Sequence, residues 1–383
     1  MFPTSRQVDH AQLSRVELHV HLDGSLRHET IWELAKKKGL SLAGCETLQD
    51  LRDMCVISTP KDLQHFLSPF RLFIPTIVGD LQAIERIAYE FCEDEARNGV
   101  TYVEARYSPH FLLPLDVPPT FEALCEVVRA VDRGFARGEN DHRVKARHVL
   151  CTLVGADMAR DVLKLCEHFR GEGVVGIDMA ALAKEDFSTY EEVKEECDEV
   201  QIFQEARRLG IHRTVHAGES GPAEMVRRAL EIYGAERIGH GYHVLDDLQL
   251  YSKCLKEKTH LETCPISSFL TGSVPLSVEK HPVVRFAEDD ANYSISTDDP
   301  TITGAYLQEN YDLLWRWGMS EAHFTRANLN AAESCFLPEH EKRQLVKQLK
   351  NIFVDGNSKE EATQDLPFKA TAHTRLDLTY ALN

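Results

Sequence analysis

Residues 16–24 read Val-Glu-Leu-His-Val-His-Leu-Asp-Gly, a short apolar and β-branched run with two histidines, His19 and His21, one residue apart. Side chains alternate between the two faces of a β-strand, so residues two apart point to the same side. Both imidazoles therefore lie on one face at the end of a predicted first strand. An open nucleotide-binding sheet would carry a GxGxxG or GxxxxGK[ST] turn after this strand, and the chain contains neither pattern.

Seven further runs of this kind recur along the chain, with helical patterns between them. Of these patterns Leu81–Arg97 is the clearest, because its apolar residues repeat every three to four positions. Strands that alternate with helices predict a parallel sheet, and eight such units predict closure into a (β/α)8 TIM barrel rather than an open sheet. The eight predicted strands are Val16–His21, Val100–Tyr107, Val144–Val154, Val174–Ala180, His212–Ala217, Arg237–Gly241, Thr259–Thr263 and Asn292–Thr297.

A length of 383 residues fits one such barrel, so we predict a single domain from residue 1 to residue 383. The interval between the first and second strands predicts a helical insertion, about residues 25–98, over the mouth of the barrel. Residues 1–13 are predicted to form an N-terminal arm. Extra helices follow the last strand, and the polar residues from about 354 to 383 predict a loosely docked tail.

The composition excludes several classes of partner. Lys and Arg number 43 and Asp and Glu number 61, a net charge of −18 that repels nucleic acid and anionic membrane surfaces. No run reaches the roughly 18–20 apolar residues of a membrane span, and the N-terminus lacks the apolar core of a signal peptide. These features, with ten scattered cysteines and no CxxC pair, predict a cytoplasmic protein with reduced thiols. The sequence does not indicate an oligomeric state, and we expect a monomer.

Polar side chains mark the carboxyl ends of the predicted strands. Active sites of barrel enzymes lie at that end, because the loops that follow the strands converge there. Histidine or an acidic residue stands at or near five of the eight ends. The residues concerned are His19, His21, Glu104, His216, His240, Asp298 and Asp299.

A metal site is the first chemistry that this pattern predicts. Imidazole suits Zn²⁺, and a catalytic zinc keeps one position open for water. His19 and His21, together with His216 and Asp298 from distant strand ends, would form an asymmetric site for one zinc ion per chain. The alternative interpretation of His-x-His alone is a pair of hydrogen-bonded polar histidines.

Three more residues are candidates for proton transfer. Glu219 follows His216 by three residues, and a carboxylic acid in a water-excluded pocket has a raised pKa and can donate a proton. Its alternative role is that of an acidic residue before a helix N-terminus. His240 lies between two glycines, which suits either a turn or a ligand that approaches closely. Asp299 adjoins Asp298 and could accept a proton or hydrogen bond from metal-bound water.

Taken together, these motifs resemble those of the adenosine/AMP deaminase family of metal-dependent hydrolases. The blocks run in family order, and the resemblance covers roughly residues 13–350. The matching segments are residues 16–24, Glu104-Ala-Arg-Tyr-Ser-Pro-His110, His212-Arg-Thr-Val-His-Ala-Gly-Glu219, Arg237-Ile-Gly-His-Gly-Tyr-His243 and Ser296-Thr-Asp-Asp-Pro300.

The resemblance implies zinc-dependent hydrolytic deamination of adenosine, and of 2′-deoxyadenosine, to inosine and ammonia. It assigns the metal to the four predicted ligands, the protonation of purine N1 to Glu219, and the orientation and deprotonation of the metal-bound water to His240 and Asp299. Zinc lowers the pKa of bound water from about 15.7 to about 7, so that hydroxide can attack C6 at neutral pH. The partner is then a small purine nucleoside.

The resemblance also implies substrate contacts. Asp23 would accept a hydrogen bond from the ribose 5′-hydroxyl and repel a 5′-phosphate, or else only shape the Asp-Gly turn. His21 and Asp299 would contact substrate as well as metal or water. Ala181 replaces a family glycine whose N–H meets purine N3, and its methyl group narrows that approach. An apolar wall is implied for four residues that core packing would explain nearly as well: Leu63, Phe66, Leu67 and Phe70.

Three alternatives stay open at the level of sequence. A related barrel deaminase could act on adenine or on a modified 5′-nucleotide, although Asp23 and the apolar wall argue against both. A barrel that has lost catalysis could serve as a binding module. A cytidine-deaminase fold is suggested only by His260-Leu261-Glu262, an H-x-E pattern without the PCxxC that should follow.

Overall fold

Eight parallel β-strands form one sheet in chain order. The computed structural model describes residues 14–42, 44–114, 116–155, 157–180 and 198–360, with side chains as far as residue 353. The strands are β1 (Arg15–His21), β2 (Val100–Tyr107), β3 (Lys145–Leu153), β4 (Val174–Ala180), β5 (His212–Ala217), β6 (Arg237–His240), β7 (His260–Thr263) and β8 (Tyr293–Ile295).

Helices separate the strands, so that the sheet and its helices follow the alternation expected of a barrel. Five helices lie between β1 and β2, and three follow the last short helix after β8. The helices are α1 (His28–Lys38), α2 (Leu48–Cys55), α3 (Leu63–Leu67), α4 (Phe70–Phe73), α5 (Leu81–Arg97), α6 (Phe121–His142), α7 (Ala159–His168), α8 (Asp198–Leu209), α9 (Ala223–Glu231), α10 (Leu248–Glu257), α11 (Pro265–Leu270), α12 (Pro282–Glu288), α13 (Pro300–Thr303), α14 (Leu307–Arg316), α15 (Glu321–Ser334) and α16 (Glu339–Glu360).

The sheet closes where the chain has just left β8. Val20 of β1 and Asp298 form an isolated parallel bridge. The N–H of His21 donates to the Asp298 carbonyl at 2.8 Å, and the N–H of Asp298 donates to the His19 carbonyl at 3.0 Å. The (β/α)8 barrel is therefore confirmed, and the hydrogen bonds that close it also bring Asp298 beside both histidines of β1.

Strand β1 divides its side chains between two environments, as the alternation predicts. Val16 and Leu18 pack outward in a small apolar cluster with Leu349 of α16 and residues of α15. His19 is fully buried and bonds to the interior residue Glu262. The first strand thus anchors the C-terminal helices on one face and supplies the site on the other.

The C-terminal end of the chain departs from expectation at one point. Helix α16 continues through Glu360, so residues 354–360 are helical rather than part of a loose tail. A surface helix needs only a narrow apolar stripe, and polar composition alone therefore did not mark where the helix ends. The predicted N-terminal arm, residues 1–13, and residues 361–383 of the predicted tail lie outside the described residues. None of the helices in the described ranges has the length and apolar character to cross a membrane.

Candidate active site

A cavity of about 640 Å³ opens at the carboxyl end of the barrel. Polar side chains from several strand ends and apolar side chains from α3 and α4 meet in its wall, which supports the position predicted for the site. The predicted site residues that line the cavity are His21, Asp23, His216, Glu219, His240, Asp298, Asp299, Leu63, Phe66, Leu67 and Phe70. Ala181, which was also predicted to contact the substrate, lies outside the described residues.

The four predicted metal ligands converge around the Asp298 carboxylate. Its Oδ1 lies 3.4 Å from His19 Nε2 and 3.4 Å from His21 Nε2, and His21 Nε2 lies 3.3 Å from His216 Nε2. Ligand atoms held at the zinc–nitrogen distance of 2.0–2.1 Å around a tetrahedral ion are about 3.3–3.4 Å apart. The spacing of these donor atoms therefore fits a divalent cation.

An unpaired buried nitrogen supports the same conclusion. His19 Nε2 is buried and has no hydrogen-bond partner among the described residues, although its other ring nitrogen is bonded to Glu262 at 2.7 Å. An unsatisfied buried polar atom costs about 1–3 kcal/mol, and a cation bound by this nitrogen would remove that cost. The chemistry of the donor set, three imidazoles and one carboxylate, is that of zinc sites.

A second grouping of donors overlaps with the first. Ligand atoms of His19, His216, His240 and Asp298 all lie within 4.8 Å of one another, so His240 competes with His21 for the fourth position on distance alone. His240 Nε2, however, is 3.6 Å from the Glu219 carboxylate. His240 therefore also contacts the predicted proton donor, and His21 stays a predicted ligand.

The backbone conformation of Asp298 directs its carboxylate toward His19 and His21. Its φ is +70°, a left-handed conformation that costs energy in a residue with a side chain. The barrel-closing hydrogen bonds hold this conformation, and Ser267 Oγ donates to Asp298 Oδ2 at 2.6 Å. One carboxylate oxygen is thus fixed by a hydroxyl, and the other is left for the imidazoles.

Burial shifts the pKa values of Glu219 and His240 in opposite directions, and both side chains are uncharged at neutral pH as a result. Burial, and then the negative charge of Asp298, raise the pKa of Glu219 to about 8. Burial, and then the proximity of His19, hold the pKa of His240 well below its usual value. At neutral pH the carboxyl group of Glu219 therefore carries a proton that it can donate, and His240 is a neutral imidazole that can accept one.

The position of the Asp299 carboxyl group requires a glycine at residue 24. A Cβ atom built on Gly24 would lie 1.7 Å from Asp299 Oδ1, so only glycine leaves the carboxyl group where it is. That oxygen is buried without a hydrogen-bond partner in the described part of the chain. Burial and the charge of Asp298 raise the pKa of Asp299 well above its usual value.

Asp23 lies at the cavity wall beside His21. Its Oδ2 accepts a long hydrogen bond, 3.4 Å, from the N–H of Ser108, and its Oδ1 is 3.9 Å from His21 Nδ1. Burial raises the pKa of Asp23 to about 7. The carboxyl group therefore has acceptor capacity left for a ligand, which a residue that only shapes a turn would not need.

The four residues of the predicted apolar wall line the cavity, and one of them also belongs to the core. Leu63, Phe66 and Leu67 lie on α3 and Phe70 on α4, and all four side chains line the cavity. Phe66 is fully buried and belongs to the core, whereas the other three are half-buried. The wall is thus continuous with the hydrophobic core of the insertion.

Several residues of the site were not predicted from the sequence. The barrel fold excludes the cytidine-deaminase alternative for residues 260–262, but Glu262 has another role that was not predicted, since it lies in the barrel interior and bonds to His19. Ser267, which holds Asp298, was missed as well. The available signal for Glu262 was an acidic residue in an otherwise buried strand, since such a residue needs a charged partner.

Comparisons with known proteins agree with this geometry. Residues 14–352 match the sequence model of a family described as adenosine deaminase. A protein from Danio rerio named adenosine deaminase is 45% identical over 344 residues, which cover 88% of this chain and 94% of that protein, and one from Gallus gallus is 43% identical with the same coverage. Among solved structures, an adenine deaminase from Arthrobacter aurescens has a TM-score of 0.76 at 24% identity and covers 89% of this chain and 99% of its own. At 24% identity, the similarity to the Arthrobacter aurescens structure shows a shared fold alone.

Proposed function

This chain belongs to the adenosine deaminase family, and we propose that it catalyses the hydrolytic deamination of adenosine, and of 2′-deoxyadenosine, to inosine and ammonia. The observation that carries the proposal is the convergence of His19, His21, His216 and Asp298 beside a protonated Glu219. Donor atoms 3.3–3.4 Å apart suit one cation, and the acid stands at the wall of the same cavity.

We assign the metal as one Zn²⁺ per chain, held by those three histidines and Asp298. When bound, such a cation lowers the pKa of water to about 7 and so provides a nucleophile at neutral pH. Replacement of the amino group needs two further functions from the protein: a proton donor on the purine ring and an acceptor for the proton of the attacking water.

Glu219 is the donor in this proposal. Its proton goes to N1 of the purine, which places positive charge next to C6 and makes that carbon more electrophilic. Because the carboxyl group is buried and faces the charge of Asp298, it holds this proton at neutral pH. His240 and Asp299 orient the attacking water, accept a proton from it and pass a proton on to the amino group, which leaves as ammonia. As the C6–N bond breaks, the proton of the new C6 hydroxyl returns to Glu219. His240 and Asp299 each have a buried side-chain atom without a hydrogen-bond partner among the described residues.

The substrate is proposed to be a nucleoside. Asp23 at the cavity wall would accept a hydrogen bond from the 5′-hydroxyl, and its partial negative charge near neutral pH would repel a 5′-phosphate. The apolar side chains of α3 and α4 would cover the purine and exclude water. The proposed contact between the N–H of Ala181 and purine N3 falls on residues outside those described.

Activity against four substrates side by side tests this proposal. We expect the adenine chromophore of adenosine to be lost rapidly, with AMP and adenine turned over poorly and 5′-deoxyadenosine turned over less efficiently than adenosine. Asp23→Ala should reduce the preference for adenosine over 5′-deoxyadenosine by about tenfold, the equivalent of about 1.4 kcal/mol for one hydrogen bond. A preference for AMP or adenine in the wild type would reject the nucleoside assignment, and unchanged discrimination in the variant would remove Asp23 from the substrate site.

Gly24→Ala should impair catalysis through Asp299. The added methyl group would overlap the Asp299 carboxylate, so that group must move by about an ångström, a displacement that typically costs about 100-fold in kcat/KM. Gly171→Ala is the matched control, since a Cβ at Gly171 meets nothing within 4 Å. Equal rates for the two variants would contradict the requirement for a glycine beside Asp299.

The pH profile should report Glu219. The protonated carboxyl group is the active form, so activity is retained below the pKa of about 8 and declines as pH rises through it. We expect kcat/KM to fall about tenfold per pH unit on the alkaline side. A profile that stays flat to strongly alkaline pH would show that no proton of Glu219 is needed.

A further inference from the structure

A fully buried arginine lies at the barrel centre beneath the predicted metal ligands. Arg106 Nη2 donates to Glu262 Oε2 at 2.6 Å and to the Leu18 carbonyl at 2.7 Å. Its Nη1 lies 3.2 Å from Asp178 Oδ2. All three charged side chains have no exposed surface, so one guanidinium joins two buried carboxylates.

Each of these carboxylates contacts one predicted metal ligand. Glu262 Oε2 is 2.7 Å from His19 Nδ1, and Asp178 Oδ1 is 3.1 Å from His216 Nδ1. A charged carboxylate only accepts hydrogen bonds, and the adjacent guanidinium favours its charged form. The proton of each imidazole must therefore lie on Nδ1, which leaves the lone pair of Nε2 directed toward Asp298 and the cavity.

His21 lacks this arrangement. The nearest carboxylate oxygen to its Nδ1 belongs to Asp23 and is 3.9 Å away, too far for a hydrogen bond. Its side chain is also 15% exposed, whereas that of His19 is not exposed. Buried carboxylates thus hold the Nδ1 atoms of His19 and His216, whereas the ring of His21 is partly exposed to the cavity.

We propose that Arg106, Glu262 and Asp178 act together as a positioning group that fixes the Nδ1-protonated tautomer of His19 and His216 and thereby sets the affinity for the metal. This inference rests on the ligand set of the proposed function and extends it to residues that touch neither substrate nor metal. Partners of this kind typically contribute 10–100-fold to metal affinity.

Replacement of Glu262 by glutamine must break the arrangement. Oε2 faces two donors, His19 Nδ1 and Arg106, and Oε1 faces two more, Arg237 Nε at 2.7 Å and Thr214 Oγ1 at 2.9 Å. The NH₂ group of glutamine would meet donors in either orientation. Asp178→Asn creates the same conflict between His216 and Arg106.

The chain offers a matched control in Glu104. This residue is also fully buried, and its Oε2 forms an ion pair with Arg237 Nη1 at 2.6 Å. Its Oε1 accepts hydrogen bonds from the Tyr102 hydroxyl and the Phe336 N–H. None of its hydrogen bonds reaches a predicted metal ligand. Glu104 is joined to Glu262 only through Arg237, so Glu104→Gln disturbs the buried charges without contacting His19 or His216.

The test is Zn²⁺ affinity of the full chain, measured by competition with a chelator, with thermal unfolding of the metal-free protein as a second readout. We expect Glu262→Gln and Asp178→Asn each to weaken Zn²⁺ binding about 10–100-fold. Glu104→Gln should lower the unfolding temperature but change Zn²⁺ affinity by less than about twofold. Unchanged affinity in the first two variants, or an equal loss in all three, would overturn the inference.

A measurement on the wild type covers the case in which the variants do not fold. Histidine ¹⁵N NMR of the metal-free protein should show His19 and His216 protonated on Nδ1, and Nε2 protonation of either would contradict the proposal. Failure here is distinguishable from failure of the proposed function, because turnover of adenosine by the wild type does not depend on which residues hold the tautomers.

Discussion

Glu219→Gln is expected to lower kcat for adenosine by about 10³–10⁴-fold, at the upper end of what a general acid contributes, while the metal content stays at one ion per chain. Glutamine has nearly the same shape and keeps the contacts of the backbone, including the hydrogen bond from Ser273 Oγ to the Glu219 carbonyl at 2.5 Å. What it lacks is a proton that can be transferred to the purine ring.

The control for this variant is Glu224→Gln, the same chemical change at an exposed position of the next helix. It should leave both kcat and metal content unchanged. A Glu219→Gln enzyme with nearly full activity would refute the role of proton donor. Loss of metal from that variant would instead make Glu219 a ligand or a structural support of the metal site.

Loss of the metal is the second change with a large expected effect. Treatment with a chelator should reduce turnover to below about 1% of its starting value, because unassisted water is a poor nucleophile at neutral pH, and one equivalent of Zn²⁺ should restore it. The substitution Asp298→Asn should also weaken metal binding and so reduce turnover. The asparagine side chain keeps the shape of aspartate but loses the negative charge that faces His19 and His21 at 3.4 Å and lies within 4.8 Å of a ring nitrogen of His216.

Asp312→Asn, on the exposed face of α14, provides the comparison for the Asp298 variant and should retain both metal and activity. If the chelated protein kept its activity, no metal would take part in the reaction. If Asp298→Asn bound zinc as tightly as the wild type, Asp298 would not be a ligand.

The sequence was sufficient for the barrel and for the residues at its carboxyl end. Alternation of short apolar runs with helical patterns predicts a parallel sheet. The end of each run then gives the approximate position of the carboxyl end of a strand. His19, His216 and Asp298 were therefore predictable as neighbours although they lie far apart in the sequence. Strand limits were less accurate. Strand β8 covers Tyr293–Ile295, whereas residues 292–297 were predicted, because Ser296 and the β-branched Thr297 give no signal that the strand has ended before the turn that carries Asp298.

The residues beneath the site could not be predicted in the same way. Glu262 and Asp178 are buried acids whose partners come from other strands, and which guanidinium reaches which carboxylate depends on strand register rather than on any local pattern. The requirement for Gly24 is of the same type, since it follows from the position of Asp299 across the closing edge of the barrel. Pairwise contacts of this kind become visible only when the sheet is closed.

Anomalous scattering at the zinc edge, from crystals of the metal-loaded protein, shows directly whether one cation is shared by ligands from distant parts of the chain. We expect one peak per chain, within about 2.0–2.2 Å of His19 Nε2, His21 Nε2, His216 Nε2 and an Asp298 oxygen. A peak bonded to His240 in place of His21, or no peak at this end of the barrel, would contradict it.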